Sequence, residues 1–161
     1  MHAQPALALI GEIDRIFPAV VKPADNDLVE HPVDCVQCSW VRNHLRPFDG
    51  PILPREALRG LHDDMSCLTA AGWRWAVPSF LRHCLSGPHI DDIETEFMIY
   101  FLGGVEASEP DIAARLASFD DAQISCLCHV LEWCTTHPHW SDYCADNVAR
   151  ALMFLRCLRE K

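Results

Sequence analysis

Apolar residues recur roughly every three or four positions along most of this chain, and that spacing places them on one face of an α-helix. Between Thr69 and Leu85, for example, Trp73, Val77 and Phe80 share such a face. No stretch of useful length alternates apolar and polar residues, as a half-buried β-strand requires. The sequence therefore predicts an all-α protein.

Signals for helix starts and stops divide the apolar pattern into seven to eight helices. Ser108 and Asp120 begin predicted helices with capping boxes, and Ser141 is the predicted N-cap of the last helix. Pro138, between two histidines, is predicted to break the chain into a polar turn. The 161 residues have the length of one domain, so residues 1–161 are expected to form a single compact bundle. The predicted helices span residues 5–17, 34–45, 54–62, 69–85, 90–102, 108–117, 120–136 and 141–158.

Composition excludes several classes of protein. Half of the residues are apolar and 22% are charged, which excludes global disorder. A net charge of −10 argues against binding nucleic acid or an anionic membrane, since both require a basic surface. No apolar run reaches the about 18 residues of a membrane-spanning helix. Residues 1–10 lack the basic start of a signal peptide, and the nine cysteines are not spaced like a secreted disulfide framework. A cytoplasmic location is expected.

The most distinctive local pattern is formed by His31, Cys35 and Cys38. Two thiolates and an imidazole at this spacing can converge on one tetrahedral zinc ion, because zinc prefers sulfur and nitrogen ligands. A fourth ligand has to come from elsewhere, and His62 and Cys67 are the candidates, with His44 also near in sequence. The alternative is that both cysteines are core residues and that His31 is a loop or capping residue. Zinc is the one cofactor that the sequence indicates.

Other cysteine chemistry has less support. A second group is formed by Cys126, Cys128, His129, Cys134, His137 and His139. These residues could combine in a site, but the cysteines follow helical stripes and are expected to be packed in the core. Thiol redox chemistry at Cys35 is not favoured, because no strand precedes it and the neighbouring Asp34 opposes a thiolate. The chain contains no hydrolase, metalloprotease or phosphate-binding motif, which favours a protein that is not an enzyme.

Acidic residues are concentrated in one part of the chain. Between Ser86 and Asn147 there are twelve acids and one base, Arg115. Many of these acids lie in predicted first turns, where they stabilise the helix dipole. They are also expected to form a negative surface that steers a basic partner toward the protein. The predicted partner-binding residues are Asp91, Asp92, Glu94, Glu96, Glu109, Asp111, Asp120 and Asp121.

The stretch from Leu68 to Leu81 resembles a family of small uncharacterised bacterial proteins. The family pattern reads Leu-Thr/Ser-Pro-Glu-Ala-Phe-Arg-Tyr-Tyr-Leu-Pro-Ala-Tyr-Leu, and in this chain Ala70 and Ala71 replace its Pro-Glu pair. A His/Cys cluster upstream and a Phe-x-x-x-Gln helix start downstream, at Phe119, follow the same order over residues 8–156. The resemblance implies an all-α bacterial protein and adds no mechanism.

Two hypotheses about function follow. The first is a non-enzymatic cytosolic protein-binding module that docks a basic partner through its acidic surface. By analogy, such a module would act like the immunity and antitoxin proteins, which bind toxins. The second is a zinc-binding protein or a metal-dependent enzyme built on His31, Cys35 and Cys38. The sequence does not predict the oligomeric state.

Overall fold

The computed structural model describes residues 3–86, 92–104 and 107–160. Within these ranges the chain forms ten α-helices and one 3-10 helix, with no β-strand, which confirms the predicted all-α fold. No helix in the described part is long and apolar enough to cross a membrane. The α-helices are α1 (Ala3–Ile16), α2 (Asp25–Leu28), α3 (Val36–Leu45), α4 (Arg55–Leu61), α5 (Ala70–Ser86), α6 (Ile93–Leu102), α7 (Glu109–Leu116), α8 (Asp121–Thr136), α9 (Pro138–Tyr143) and α10 (Ala145–Arg159), and the 3-10 helix spans Met65–Cys67.

Helix α5 forms the centre of the bundle. Nearly every side of this helix is buried between Gly72 and Leu85. Its apolar residues are accordingly not confined to one face. It packs against α1, α6 and α7, while α10 packs against α8 and α6. The buried apolar side chains form one continuous cluster, with Trp73, Phe80 and Trp140 among its largest members. Burying each such side chain contributes roughly 1.5–3 kcal/mol.

Two predicted N-caps are confirmed. The Asp120 carboxylate accepts a hydrogen bond from the Gln123 N–H at 2.8 Å, and the Gln123 side chain accepts one from the Asp120 N–H at 3.1 Å. The Ser108 hydroxyl accepts from the Asp111 N–H at 3.4 Å. These caps satisfy backbone groups that have no partner inside the first turn of a helix. Such local signals are readable from the sequence because donor and acceptor are three residues apart.

The predicted helix break at Pro138 is confirmed, because α8 ends at Thr136. The predicted polar turn there and the predicted cap at Ser141 are wrong. Pro138 begins α9, and the Ser141 hydroxyl lies inside that helix, where it donates to the Pro138 carbonyl. The last helix begins at Ala145, after Cys144. Proline lacks only an N–H that a first turn leaves unpaired, so it starts a helix as readily as it ends one. The sequence also does not predict the short α2.

A short backbone pairing holds the chain before α3 against the chain before α5. Val29 and Leu68 form an isolated antiparallel bridge. The Glu30 N–H donates to the Cys67 carbonyl at 2.8 Å, and the Thr69 N–H donates to the Leu28 carbonyl at 3.1 Å. The pairing places the residues around position 30 beside the 3-10 helix.

We expect Gly72→Ala to destabilise the protein. A Cβ at position 72 would lie 2.7 Å from the Leu28 carbonyl oxygen, so α5 and α2 would have to separate. Overpacking of this kind costs about 1–3 kcal/mol. The matched control is Gly11→Ala in α1, where a Cβ would meet no atom within 4 Å. That substitution should stabilise the protein by about 0.5–1 kcal/mol. Urea unfolding measures the free energy of unfolding of both variants. An equal change in the two variants would contradict the close approach at Gly72.

Candidate metal centre

The structure brings the three predicted zinc ligands together. A ring nitrogen of His31 and the sulfurs of Cys35 and Cys38 all lie within 4.8 Å of one another. The His31 Nδ1 atom is 3.9 Å from the Cys38 Sγ atom. His31 is exposed, Cys35 is partly exposed and Cys38 is buried. The three side chains therefore converge at the edge of the bundle.

The start of α3 sets the position of Cys35. The sequence places the helix start at Asp34, whereas α3 begins at Val36 with Cys35 as its N-cap. Asp34 has a φ of 63°, a left-handed conformation that aspartate tolerates better than most residues. The Cys35 Sγ atom accepts a hydrogen bond from the Cys38 N–H at 3.4 Å. The turn at Asp34 thus directs the Cys35 sulfur toward the free N–H groups of the first helical turn.

Cys67 is the predicted fourth ligand whose thiol interacts with this group. It lies in the 3-10 helix, close enough to Cys38 for each thiol to shift the pKa of the other. His62, the other candidate, ends α4 and packs its ring edge-on against Phe97, with 4.7 Å between the ring centroids. Among the described residues, the ligand atoms that all lie within 4.8 Å of one another include neither His62 nor Cys67. We call His31, Cys35, Cys38 and Cys67 the His31 cluster.

Hydrogen bonds and burial shift the pKa values of the three thiols in the His31 cluster in different directions. The Cys38 N–H, the Cys38 side chain and the Gln37 N–H lower the pKa of Cys35, whereas burial raises the pKa of Cys38. Burial and the hydrogen bond from Cys38 raise the pKa of Cys67 to about 12. The Asp64 carboxylate adds negative charge near Cys35 and Cys67. A divalent cation would offset the cost of ionising these thiols, as zinc does when it binds cysteine.

Two of the predicted partner-binding acids are buried, so their assignment to an exposed surface is wrong. Asp92 and Glu94 are 4% and 0% exposed. Asp92 caps α6 and lies 3.0 Å from His83 Nε2, and its carboxylate accepts hydrogen bonds from the N–H and the hydroxyl of Thr95. Asp91 lies outside the described residues.

Glu94 is neutralised by residues from α4. Its Oε1 atom accepts a hydrogen bond from Arg55 Nε at 3.1 Å and lies 3.7 Å from a guanidinium nitrogen of Arg59. His83, Asp92 and Glu94 form a second group of donor atoms within 4.8 Å of one another. Two guanidinium groups already supply positive charge there, so the group acts as an ion-pair network joining α4 and α5 to the start of α6.

The other predicted partner-binding acids stay at or near the surface. Glu96 is partly buried and accepts a hydrogen bond from the Tyr100 hydroxyl. The remaining four lie at the starts of α7 and α8, or just before them. All four are exposed: Glu109, Asp111, Asp120 and Asp121. Docking of a basic partner on them stays a prediction.

The second cysteine group is packed in the core, as predicted. Cys126, Cys128 and Cys134 are buried in α8. The Cys134 sulfur lies 3.6 Å from the Cys84 sulfur in α5, and burial contributes to raising the pKa of Cys126 to about 12. His129 instead pairs with Glu12 of α1 at 2.8 Å. These residues serve helix packing.

Comparison with protein-family models, with curated proteins and with solved structures gives no match for this chain. The resemblance at Leu68 to Leu81 therefore stays a prediction. In the structure this stretch contains the first two-thirds of α5 and the backbone pairing that precedes it. The case for a function rests on the geometry of the His31 cluster.

Replacing Asp92 by asparagine should lower the free energy of unfolding at pH 7 and have much less effect near pH 3. Burial alone would raise the pKa of Asp92, but hydrogen bonds from His83 and Thr95 outweigh it and lower the pKa below its ordinary value. The stabilisation is therefore present above the unfolded pKa of about 3.9 and is lost as the pH falls through the folded pKa.

Urea unfolding at a series of pH values measures this dependence. The exposed Asp142 in α9 supplies the control, because Asp142→Asn should change stability little at any of these pH values. A destabilisation by Asp92→Asn that is the same at pH 7 and near pH 3 would contradict the role given to its charge.

Proposed function

We propose that this protein binds one zinc ion through His31, Cys35, Cys38 and Cys67. The supporting observation is that the three ligands predicted from sequence lie within 4.8 Å of one another. The Cys67 thiol lies close enough to Cys38 for the two thiols to shift each other's pKa. Three thiolates and one imidazole are a ligand set typical of structural zinc sites. The backbone N–H of Cys38 donates to the Cys35 sulfur, and the backbone of His31 lowers the pKa of Cys38. Bonds of this kind orient ligands around a metal.

The ion would serve stability rather than catalysis. Four protein ligands complete a tetrahedral shell and leave no open position for a reacting water molecule. The ligands come from the chain before α3, from the start of α3 and from the 3-10 helix, so the ion joins segments about thirty residues apart in sequence. The ion would add to the packing of Val41 and Leu45, which already bury one face of α3. A cytoplasmic location suits this role, because its reducing conditions keep thiols available for metal.

Docking of a basic protein, the immunity or antitoxin role, has weaker support. It rests on the exposed carboxylates at the starts of α7 and α8, and the dipoles of these helices explain the same residues. Asp92 and Glu94 do not contribute to such a surface, because they are buried. The zinc proposal rests on side chains that meet from separate parts of the chain.

Protein purified under reducing conditions should contain about one zinc ion per chain by elemental analysis. Cys38→Ser and Cys67→Ser should lose most of it, because each removes a buried ligand. Cys128→Ser is the matched control, since Cys128 is equally buried but lies in α8 away from the His31 cluster. His62→Ala should also retain the metal. Less than about a tenth of an equivalent of zinc in the wild-type protein would reject the proposal.

Removing the ion should destabilise the wild-type protein and not the variants that lack the site. A chelator is expected to lower the thermal unfolding temperature of the wild type and of Cys128→Ser, with little effect on Cys38→Ser. Binding of metal to the folded state contributes directly to folding free energy, which is the reason for this difference. Equal shifts in all three proteins would show that the ion does not act through the His31 cluster.

A further inference from the structure

The three thiols of the His31 cluster differ in their access to solvent. Cys35 is partly exposed, whereas Cys38 and Cys67 are 1% and 7% exposed. Attack by a thiol on another molecule requires an accessible sulfur. Of the three, Cys35 is the one placed to react first.

Cys35 also lines an open groove of about 500 Å³. Val36 and Trp40, which are 87% and 47% exposed, form an apolar wall, and the Trp40 ring stacks on His44 with 5.1 Å between the ring centroids. A groove of this volume is large enough to admit a small molecule from solvent. The remaining lining residues are polar: Asp34, Ser39 and Asn43.

Cys38 lies directly behind Cys35. The two sulfurs lie within 4.8 Å of each other, and the Cys35 sulfur accepts a hydrogen bond from the Cys38 N–H. The sequence disfavours redox chemistry here, because no strand precedes Cys35 and the neighbouring Asp34 opposes a thiolate. In the structure Cys35 is the N-cap of α3, the position at which a helix favours a sulfur anion. The pair has the arrangement of an attacking thiol and a resolving thiol.

We propose that a low-molecular-weight disulfide enters this groove, oxidises Cys35 and Cys38 to a disulfide, and thereby releases the zinc ion. This inference rests on the proposed zinc site and names its regulation. The signal would be an oxidised small thiol, and the response would be loss of the ion that anchors α3.

The reaction is two successive thiol–disulfide exchanges. The Cys35 sulfur attacks one sulfur of the incoming disulfide, whose S–S bond breaks, and the first small thiolate leaves and takes a proton from water. The Cys38 sulfur then attacks the Cys35 sulfur in the mixed disulfide, and the second small thiolate leaves in the same way. Two cysteine thiolates lose two electrons, and one external disulfide gains them. The ion keeps only His31 and Cys67, too few ligands to retain it.

Oxidised glutathione is the probe for the complete reaction. It is added to zinc-loaded full-length protein, a coloured zinc indicator follows release, and mass spectrometry of peptides locates the disulfide. We expect release of about one ion per chain together with a Cys35–Cys38 disulfide. Cys157→Ser should behave like the wild type, although Cys157 is an exposed thiol. Retention of zinc, or release with a disulfide elsewhere, such as between Cys84 and Cys134, overturns the inference.

Two single-residue variants isolate the first exchange reaction. Their result can be measured whether or not zinc is bound. In Cys38→Ser no resolving thiol remains, so Cys35 should accumulate one glutathione group. In Cys35→Ser the buried Cys38 should remain unmodified over the same time. Absence of the mixed disulfide at Cys35 overturns the inference even where zinc is bound. Absence of zinc from the purified wild type rejects the proposed function instead, and the trap still decides whether Cys35 is the reacting thiol.

Discussion

The backbone pairing between residues 28–30 and residues 67–69 holds together two segments of the candidate metal centre. Through it, the chain that leads into α3 is hydrogen-bonded to the chain that leads into α5, the most deeply buried helix. Glycine at position 72 permits the close approach, because any Cβ there would overlap the Leu28 carbonyl. The same pairing sets His31 beside the 3-10 helix that contains Cys67. Core packing and the candidate metal centre thus share one set of hydrogen bonds.

The acidic residues that cluster along the chain do not all lie on the surface of the folded protein. The stretch from Ser86 to Asn147 has twelve acids and one base, yet Asp92 and Glu94 within it are buried against His83, Arg55 and Arg59. Buried carboxylates require such partners, since the cost of removing a charge from water is otherwise too large. Part of the apparent acidic surface is therefore an internal network between α4, α5 and α6.

The two proposals about the His31 cluster follow from one asymmetry in exposure. Burial keeps the Cys38 and Cys67 thiols protonated when no cation compensates their charge, so metal binding and loss of protons are linked. Cys35 stands apart because it is the N-cap of α3 and lines a groove. A site with two buried thiols and one accessible thiol can bind an ion tightly. It can still release the ion when a reagent oxidises the accessible thiol.

The sequence alone determined the features that depend on neighbours a few residues apart. It predicted the all-α fold from helical spacing, the caps at Ser108 and Asp120, and the convergence of His31, Cys35 and Cys38. It missed α9, because the same proline signal fits the start or the end of a helix. Only the tertiary structure decided that the Cys67 thiol comes close enough to Cys38 to interact with it, and that Glu94 is buried. Both depend on helices that meet across tens of residues, and the free energy of that packing is not contained in any local pattern.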